Sequence, residues 1–263
     1  PQTFGVNSPL SPDEYYRLQH PRSRVNNSLE EGLVRLATSM AQRQQWIHKD
    51  RTKIFADEVE LFPNVAGRPK KTRDNLITEV ATLFGLYTLN GEHAEVSSRA
   101  LELANRHDVT RFFLSFMQKL QYPNASTVRA KTIDDVRRGI RFKPGDYLVQ
   151  LLLAGQTLVG QGKSFGISPK EAGWYGFFDL EALRGFRSPE ENAQKLLSER
   201  GRVSLEPPSD LEAYGLAASL ERQPPDHYRY ARDCLIWLEF ARVLAKGQDG
   251  KYHLRPSDAP KML

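Results

Sequence analysis

The chain has 263 residues, 40% of them hydrophobic and 26% charged, with a formal net charge of +5 and a pI near 9.2. That length holds one large or two small domains with ample core, and the basic balance favours an acidic partner, of which nucleic acid is the commonest. The single cysteine, Cys234, excludes a disulfide framework and suits a reducing cytoplasm, while no apolar run approaches membrane-spanning length and no charged-then-apolar leader opens the chain.

In chain order, residues 1–27 are rich in Pro, Ser, Arg and Asn without a sustained period and read as an N-terminal arm. Within it Arg22, Arg24, Asn26 and Asn27 carry side chains suited to a narrow minor groove or to phosphates, although a solvated tail has the same composition. Ser28 with Glu31 forms the pattern of a capping box, and Leu29, Leu33, Leu36, Ala37 and Met40 make a helical stripe that extends to about Trp46. Lys49, Arg51 and Lys53 follow as a basic cluster, Asp57 to Phe62 reads as a short helix, and Pro63 to Lys71 as a turn. A helix capped by Thr72 and stopped at Gly85 precedes a hairpin, Leu86–Leu89 and His93–Val96 around Asn90-Gly91, and Ser97 caps a closing helix to Asn105.

From Arg111 the pattern changes to an aromatic helix and a connector dense in Arg and Lys, residues 111–144. A helix runs from Gly145 or Asp146 through Leu153, and Gly155 to Gly166, lacking the Lys-Ser/Thr ending of a phosphate loop, reads as a flexible loop. Ser168-Pro169-Lys170-Glu171 and Ser188-Pro189-Glu190-Glu191 are two capping boxes with Pro at the first helical position. One more helical segment falls within Pro207 to Pro225. The chain closes on a helix opening at Asp226 and a hairpin, Val243–Lys246 and Lys251–Arg255, around Asp249-Gly250.

The closing unit has a counterpart. Arg73–Val96 superposes without a gap on Arg232–Arg255, matching Arg73-Asp74 with Arg232-Asp233, Leu76-Ile77 with Leu235-Ile236, and Gly91 with Gly250. A repeated helix and hairpin implies two winged helix-turn-helix subdomains. The expected fold class is α+β, mainly α, with an arm over 1–27, winged-helix subdomain 1 over 28–110, a small helical linker subdomain over 111–144, and winged-helix subdomain 2 over 145–263.

In that order FLSFMQKLQYPN, YLVQLLLAG, ISPKEAGWY and HYRYARDCLIWLEFARVLAKGQDGKYHL, with TRDNLITEVATLFGLYTLNGE in the first half, resemble the amino-terminal recognition region of type IIS restriction and nicking endonucleases, BpuJI-like and AlwI-like, more distantly FokI-like. The resemblance spans most of residues 28–255, and its most specific element is the aromatic helix ending in Gln121-Tyr122-Pro123. It implies a monomer that reads a short asymmetric site on double-stranded DNA, with cleavage left to a separate C-terminal nuclease domain that uses Mg²⁺. On that expectation the chain is a recognition fragment or a product without its own nuclease.

The chemistry of the two helix starts agrees. The major groove distinguishes every base pair, Arg pairing best with guanine, Asn or Gln with adenine, and Asp with cytosine. The first start offers Arg68, Lys70, Lys71, Arg73, Asp74 and Asn75, and the second His227, Arg229, Tyr230, Arg232 and Asp233, so a G/C-containing site is expected. A basic first turn also suits a merely solvated helix, and Asp there also favours the helix dipole. Lys49, Arg51, Lys53, Arg137, Arg138, Arg141 and Lys143 are expected at phosphates. Pro225-Asp226 with Asp249-Gly250-Lys251 has the spacing of a Mg²⁺ nuclease motif but not its strand context, so no catalytic or metal-binding residue is assigned. The rival reading is a tandem winged-helix transcription regulator or replication initiator without nuclease activity.

Overall fold

The structure, a computed structural model, describes Tyr16 and residues 29–60, 78, 80–124, 129–203, 205 and 228–255. It is a mainly helical α+β protein; among the described residues two small three-stranded antiparallel sheets are set among helices. The chain divides into two compact units, His20–Phe116 on one side and Pro1–Gln19 with Met117–Leu263 on the other. The boundary falls inside the aromatic helix.

In the first unit, helix α1 (Leu29–Arg43) buries Leu29, Leu33, Leu36, Ala37 and Met40, the stripe read from the sequence. It stops short of Trp46, because Gln44 adopts a left-handed φ of 60° and Gln45–Ile47 become strand β1. Three residues are too few to show alternation, so no sequence pattern marks this strand. Helical turns α2 (Arg51–Ile54) and α3 (Ala56–Glu60) follow. The expected hairpin is β2 (Tyr87–Asn90) and β3 (His93–Val96), with Gly91 at φ +62° in its turn. The sheet order is β1-β3-β2, with Trp46 opposite Ala94. Helix α4 (Ser98–Arg106) is capped by Ser97, whose hydroxyl accepts from the Ala100 amide. The core beneath is aromatic: Phe84 meets Phe112, Phe113 and Phe116 of α5 (Val109–Lys119) edge to face at 5.9, 5.6 and 5.0 Å.

The second unit repeats the order with additions. Helices α6 (Arg129–Arg137) and α7 (Pro144–Val159) lead to strand β4 (Gly166–Ile167), then α8 (Pro169–Ala172), a π-type segment (Gly173–Phe177), α9 (Leu180–Arg184) and α10 (Pro189–Glu199). Helix α11 (Arg229–Phe240) and the hairpin β5 (Leu244–Lys246) and β6 (Tyr252–Leu254) close it, with sheet order β4-β6-β5. Both capping boxes form, Ser168 with Glu171 and Ser188 with Glu191. The glycine-rich stretch is not the loose loop expected of it. Gly155 lies within α7, where a Cβ would stand 2.2 Å from Phe165, and Gln156 holds the chain that follows by accepting from the Phe165 amide and donating to the Lys163 carbonyl.

Tyr16, from the arm, belongs to this second unit. Its hydroxyl donates to Asp135 and Asp134 at 2.5 and 2.9 Å, its amide bonds the Phe178 carbonyl, and the Arg138 guanidinium lies over its ring. A second polar knot is centred on the fully buried Asp179. One oxygen caps α9, and the other receives Arg187 at 2.5 Å and Asn192 at 3.2 Å; Asn192 also donates to the Tyr147 hydroxyl at 2.7 Å. Burying a carboxylate this deeply requires such a full set of partners.

The two units correspond, in a different register from the one read in the sequence. Phe84 N bonds Val80 O, Gly85 N bonds Thr82 O and Leu86 N bonds Ala81 O; the same three bonds run from Ala241 to Trp237, Arg242 to Glu239 and Val243 to Leu238. The equivalent of Gly85 is therefore Arg242, both left-handed at φ 64° and 58°, where the gapless match pairs Gly85 with Leu244. The second hairpin also has the longer turn: Leu89 pairs with Ala94, its counterpart Lys246 with Tyr252.

Two stability changes follow from these contacts. Replacing Phe84 by Ala is expected to lower the unfolding free energy by about 3–5 kcal/mol, measured by denaturant titration. Arg242→Gly is expected to raise it by up to about 1 kcal/mol, because the left-handed conformation costs an L side chain about that much; an unchanged or lowered midpoint would contradict this account of the helix end.

Candidate nucleic-acid interface

Helix α11 carries four of the five residues expected to meet bases in the second half; the fifth, His227, lies outside the described residues. Tyr230 and Asp233 are buried, 6% and 3% exposed, on the face that also buries Cys234 and Trp237. That face follows the three-and-four spacing of a helix and turns into the core, so these two are withdrawn from the base-contacting set. A polar Asp at a core position cannot be told from a surface one by its type alone. Arg229 and Arg232 lie on the half-exposed face with Ile236 and Glu239. The Arg229 guanidinium stacks over the Tyr230 ring at 4.5 Å, and its Nε is buried with no hydrogen-bond partner among the described residues. Arg232, like Arg229, is half-exposed on this helix.

The hairpin that follows is clamped. The His253 ring takes Ser164 Oγ at 2.9 Å on one nitrogen and the Asp249 carboxylate at 3.1 Å on the other. The ring lies where a Cβ on Gly166 would come within 2.4 Å of it. Asp249 is held below the usual carboxylate range, first by the hydrogen bond to His253 and then by the Lys251 amide. This explains why Asp249 and Lys251, whose spacing matches a nuclease motif, belong to a turn: Asp249 ties the tip down, and Lys251 reaches back to Glu171 at 3.5 Å. Asp226 lies outside the described residues, and among those described no group of three or more His, Cys, Asp or Glu gathers to hold a metal ion.

The residues expected at phosphates divide into engaged and outward-facing groups. Arg51 is half-buried and donates to Thr78 Oγ1 at 2.6 Å and to the His48 carbonyl at 3.0 Å, fixing the turn between β1 and α2, while Lys49 and Lys53 are exposed. Neighbouring His48 meets the Tyr87 hydroxyl at 3.0 Å, and burial, then Arg51, lowers its pKa. In the second unit Arg137, Arg138, Arg141 and Lys143 are all exposed within seven residues of chain. Arg138 is paired with Asp134 at 3.3 Å and Lys143 stands 3.7 Å from Asp146. Arg141 and Lys143 border a cleft of about 600 Å³ together with Gln121, Gln150 and Arg187, three residues outside the set expected from sequence. Gln150 and Arg187 carry no sequence signal beyond proximity to the starts of α7 and α10, while Gln121 falls in the Gln121-Tyr122-Pro123 motif. Arg22, Arg24, Asn26, Asn27, Arg68, Lys70, Lys71, Arg73, Asp74 and Asn75 lie outside the described residues.

Residues 10–262 match the family described as the N-terminal part of restriction endonuclease BpuJI. The chain belongs to the BpuJI N-terminal family. Among solved structures it is similar to a crystal structure of pyrene- and phenanthrene-modified DNA in complex with the BpuJ1 endonuclease binding domain, at 22% identity and a TM-score of 0.78, covering 96% of this chain and 86% of that one. None of the curated proteins matches in sequence. Among the described residues no helix is long and apolar enough to cross a membrane.

If Asp233 serves the core, Asp233→Ala destabilises the protein by about 1–3 kcal/mol, the range for stranding buried polar partners. The base preference of bound duplexes stays as in the wild type. A stable variant with altered preference would return Asp233 to the interface.

Proposed function

We propose that this chain is the DNA-recognition module of a type IIS restriction endonuclease. It reads a short asymmetric, G/C-containing site on double-stranded DNA, while a separate C-terminal domain supplies Mg²⁺-dependent cleavage. The observation that carries the reading is the family match over residues 10–262. Its structural neighbour is a BpuJ1 domain in complex with DNA.

Each unit orders its elements as helix, strand, further helix, then hairpin, with the early strand paired to the last strand of the hairpin. That order supports two winged helices, joined through residues 111–144. In the second, α11 is the recognition helix and the hairpin around Asp249-Gly250 the wing. Arg232 reads a guanine, with Arg229 beside it, and in the first unit Arg73 and its neighbours Arg68, Lys70, Lys71, Asp74 and Asn75 take the corresponding task. Lys49, Lys53, Arg137 and Arg138 meet phosphates, and the arm, through Arg22, Arg24, Asn26 and Asn27, meets the backbone or minor groove. Unequal recognition helices suit one monomer on an asymmetric site in the cytoplasm.

Selecting bound duplexes from a random library at about 0.15 M salt, with Mg²⁺ present and product ends examined, tests the reading. A short asymmetric enriched site is expected, without cutting by this chain; an enriched palindrome would favour a dimeric regulator instead. On the selected site Arg232→Ala is expected to cost about 1–3 kcal/mol and to relax one base position. An equal loss on random DNA would make Arg232 a phosphate contact.

A further inference from the structure

The cleft in the second unit is built rather than incidental. Its floor is a two-stranded bridge in which the Tyr122 amide bonds the Phe142 carbonyl at 2.7 Å and the Phe142 amide bonds the Tyr122 carbonyl at 3.1 Å. One wall is the start of α7 and the other the loop from α9 into α10, fixed by the bond from the Arg141 amide to the Leu183 carbonyl. The buried Asp179 knot secures that far wall, because the same carboxylate that caps α9 holds Arg187 and, through Asn192, Tyr147.

Three cations, Arg141, Lys143 and Arg187, line this space of about 600 Å³; Asp146 stands 3.7 Å from Lys143, and Asp179 holds Arg187 at 2.5 Å from outside the lining. Arg187 is oriented by Asp179, and Arg141 is exposed on a backbone anchored at its own amide. Gln121 and Gln150 add amide donors. The α7 helix begins here at Lys143 and Pro144 with no side chain capping it, so its first amides add to the positive field. Guanidinium and ammonium groups gathered at the edge of a recess suit an oxyanion of tetrahedral shape.

We propose that this cleft binds a phosphate group, which, resting on the proposed DNA-recognition function, belongs to the DNA backbone and docks the second unit independently of base sequence. Arg141 and Lys143 make the contacts, Arg187 positions the wall, and the site supplies affinity without reading bases.

The test compares the full chain with a variant carrying both Arg141→Ala and Lys143→Ala, two exposed positions. The expected result is an affinity loss of about tenfold or more, equal on selected and random duplexes, with the slope of log K against log salt shallower by about 0.9 for each phosphate no longer neutralised. Titration with inorganic phosphate should move the amide resonances of residues 141–143, 145 and 146 in the wild type and not in the variant. Unchanged affinity and slope in a variant that still selects the site would overturn the backbone assignment and leave the DNA reading standing. A loss confined to the selected site would make these residues base readers and overturn it too. If the wild type binds no duplex, the reading of function fails, and the phosphate titration decides the cleft alone: shifts abolished in the variant assign it to a free phosphate-bearing ligand, and no shifts overturn the site.

Discussion

A two-stranded hairpin is marginal by itself in water, and each unit of this protein depends on a third strand to hold one in place. In the first unit that strand is Gln45–Ile47, in the second Gly166–Ile167, and each pairs with the far strand of its hairpin. The consequence reaches beyond the sheet. In each unit helices lie in the chain between the third strand and its hairpin, so one short ladder joins segments that are distant in sequence. Trp46 and Ile167, facing Ala94 and Tyr252, are buried at these joints. A hairpin anchored in this way can present a rigid tip, and in the second unit the bonds from His253 to Ser164 and Asp249 stiffen it further.

The same construction sets which side of the helix before the hairpin faces out. A helix that ends in a left-handed residue has its final turn fixed relative to the strand that follows, through Gly85 in the first unit and Arg242 in the second. Each residue of shift rotates a helix by about 100°. The two-residue difference between the gapless sequence match and the hydrogen-bonded correspondence is therefore more than half a turn. Under the hydrogen-bonded pairing, Val80 and Ala81 correspond to Trp237 and Leu238, all fully buried. The gapless match would set them against Glu239 and Phe240, which are only partly buried. From Val80 onward the helix end and hairpin of the first unit recur in the second, two residues away from the gapless match.

What is legible in the sequence is what local chemistry dictates. Ser97, Ser168 and Ser188 cap their helices because a hydroxyl can satisfy a free first-turn amide wherever the chain goes afterwards. Asn90-Gly91 and Asp249-Gly250 turn because glycine takes the left-handed conformation without a Cβ clash, and the amphipathic stripe of α1 is a property of spacing alone. What escapes is decided by tertiary contacts. Strands of two and three residues carry no period, Gly155 is required by the Phe165 ring rather than by flexibility, and Asp233 sits in a core where its residue type predicts a surface. The candidate interface is legible as a composition and not as a geometry: the basic stretch Arg137 to Lys143 stands out in the chain, but the recess it borders does not.

Net charge is a coarse guide to such a recess, because many of the cations counted in it are engaged in holding the fold. Arg51 fixes a turn, Arg138 covers Tyr16 and pairs with Asp134, Arg187 is held by Asp179, and Arg200 bonds Glu171 and the Gly166 carbonyl. These pairs cancel charge locally while fixing the backbone from which neighbouring cations project. Arg141 illustrates the result: its amide is held by Leu183 and its side chain is left exposed, next to a wall that Arg187 keeps in position. A polyanion is attracted to the sum of charges at long range, but it is seated by those that the structure has oriented in advance. In this protein the buried carboxylate of Asp179 therefore contributes to the positive recess by organising it, although by charge alone it opposes it.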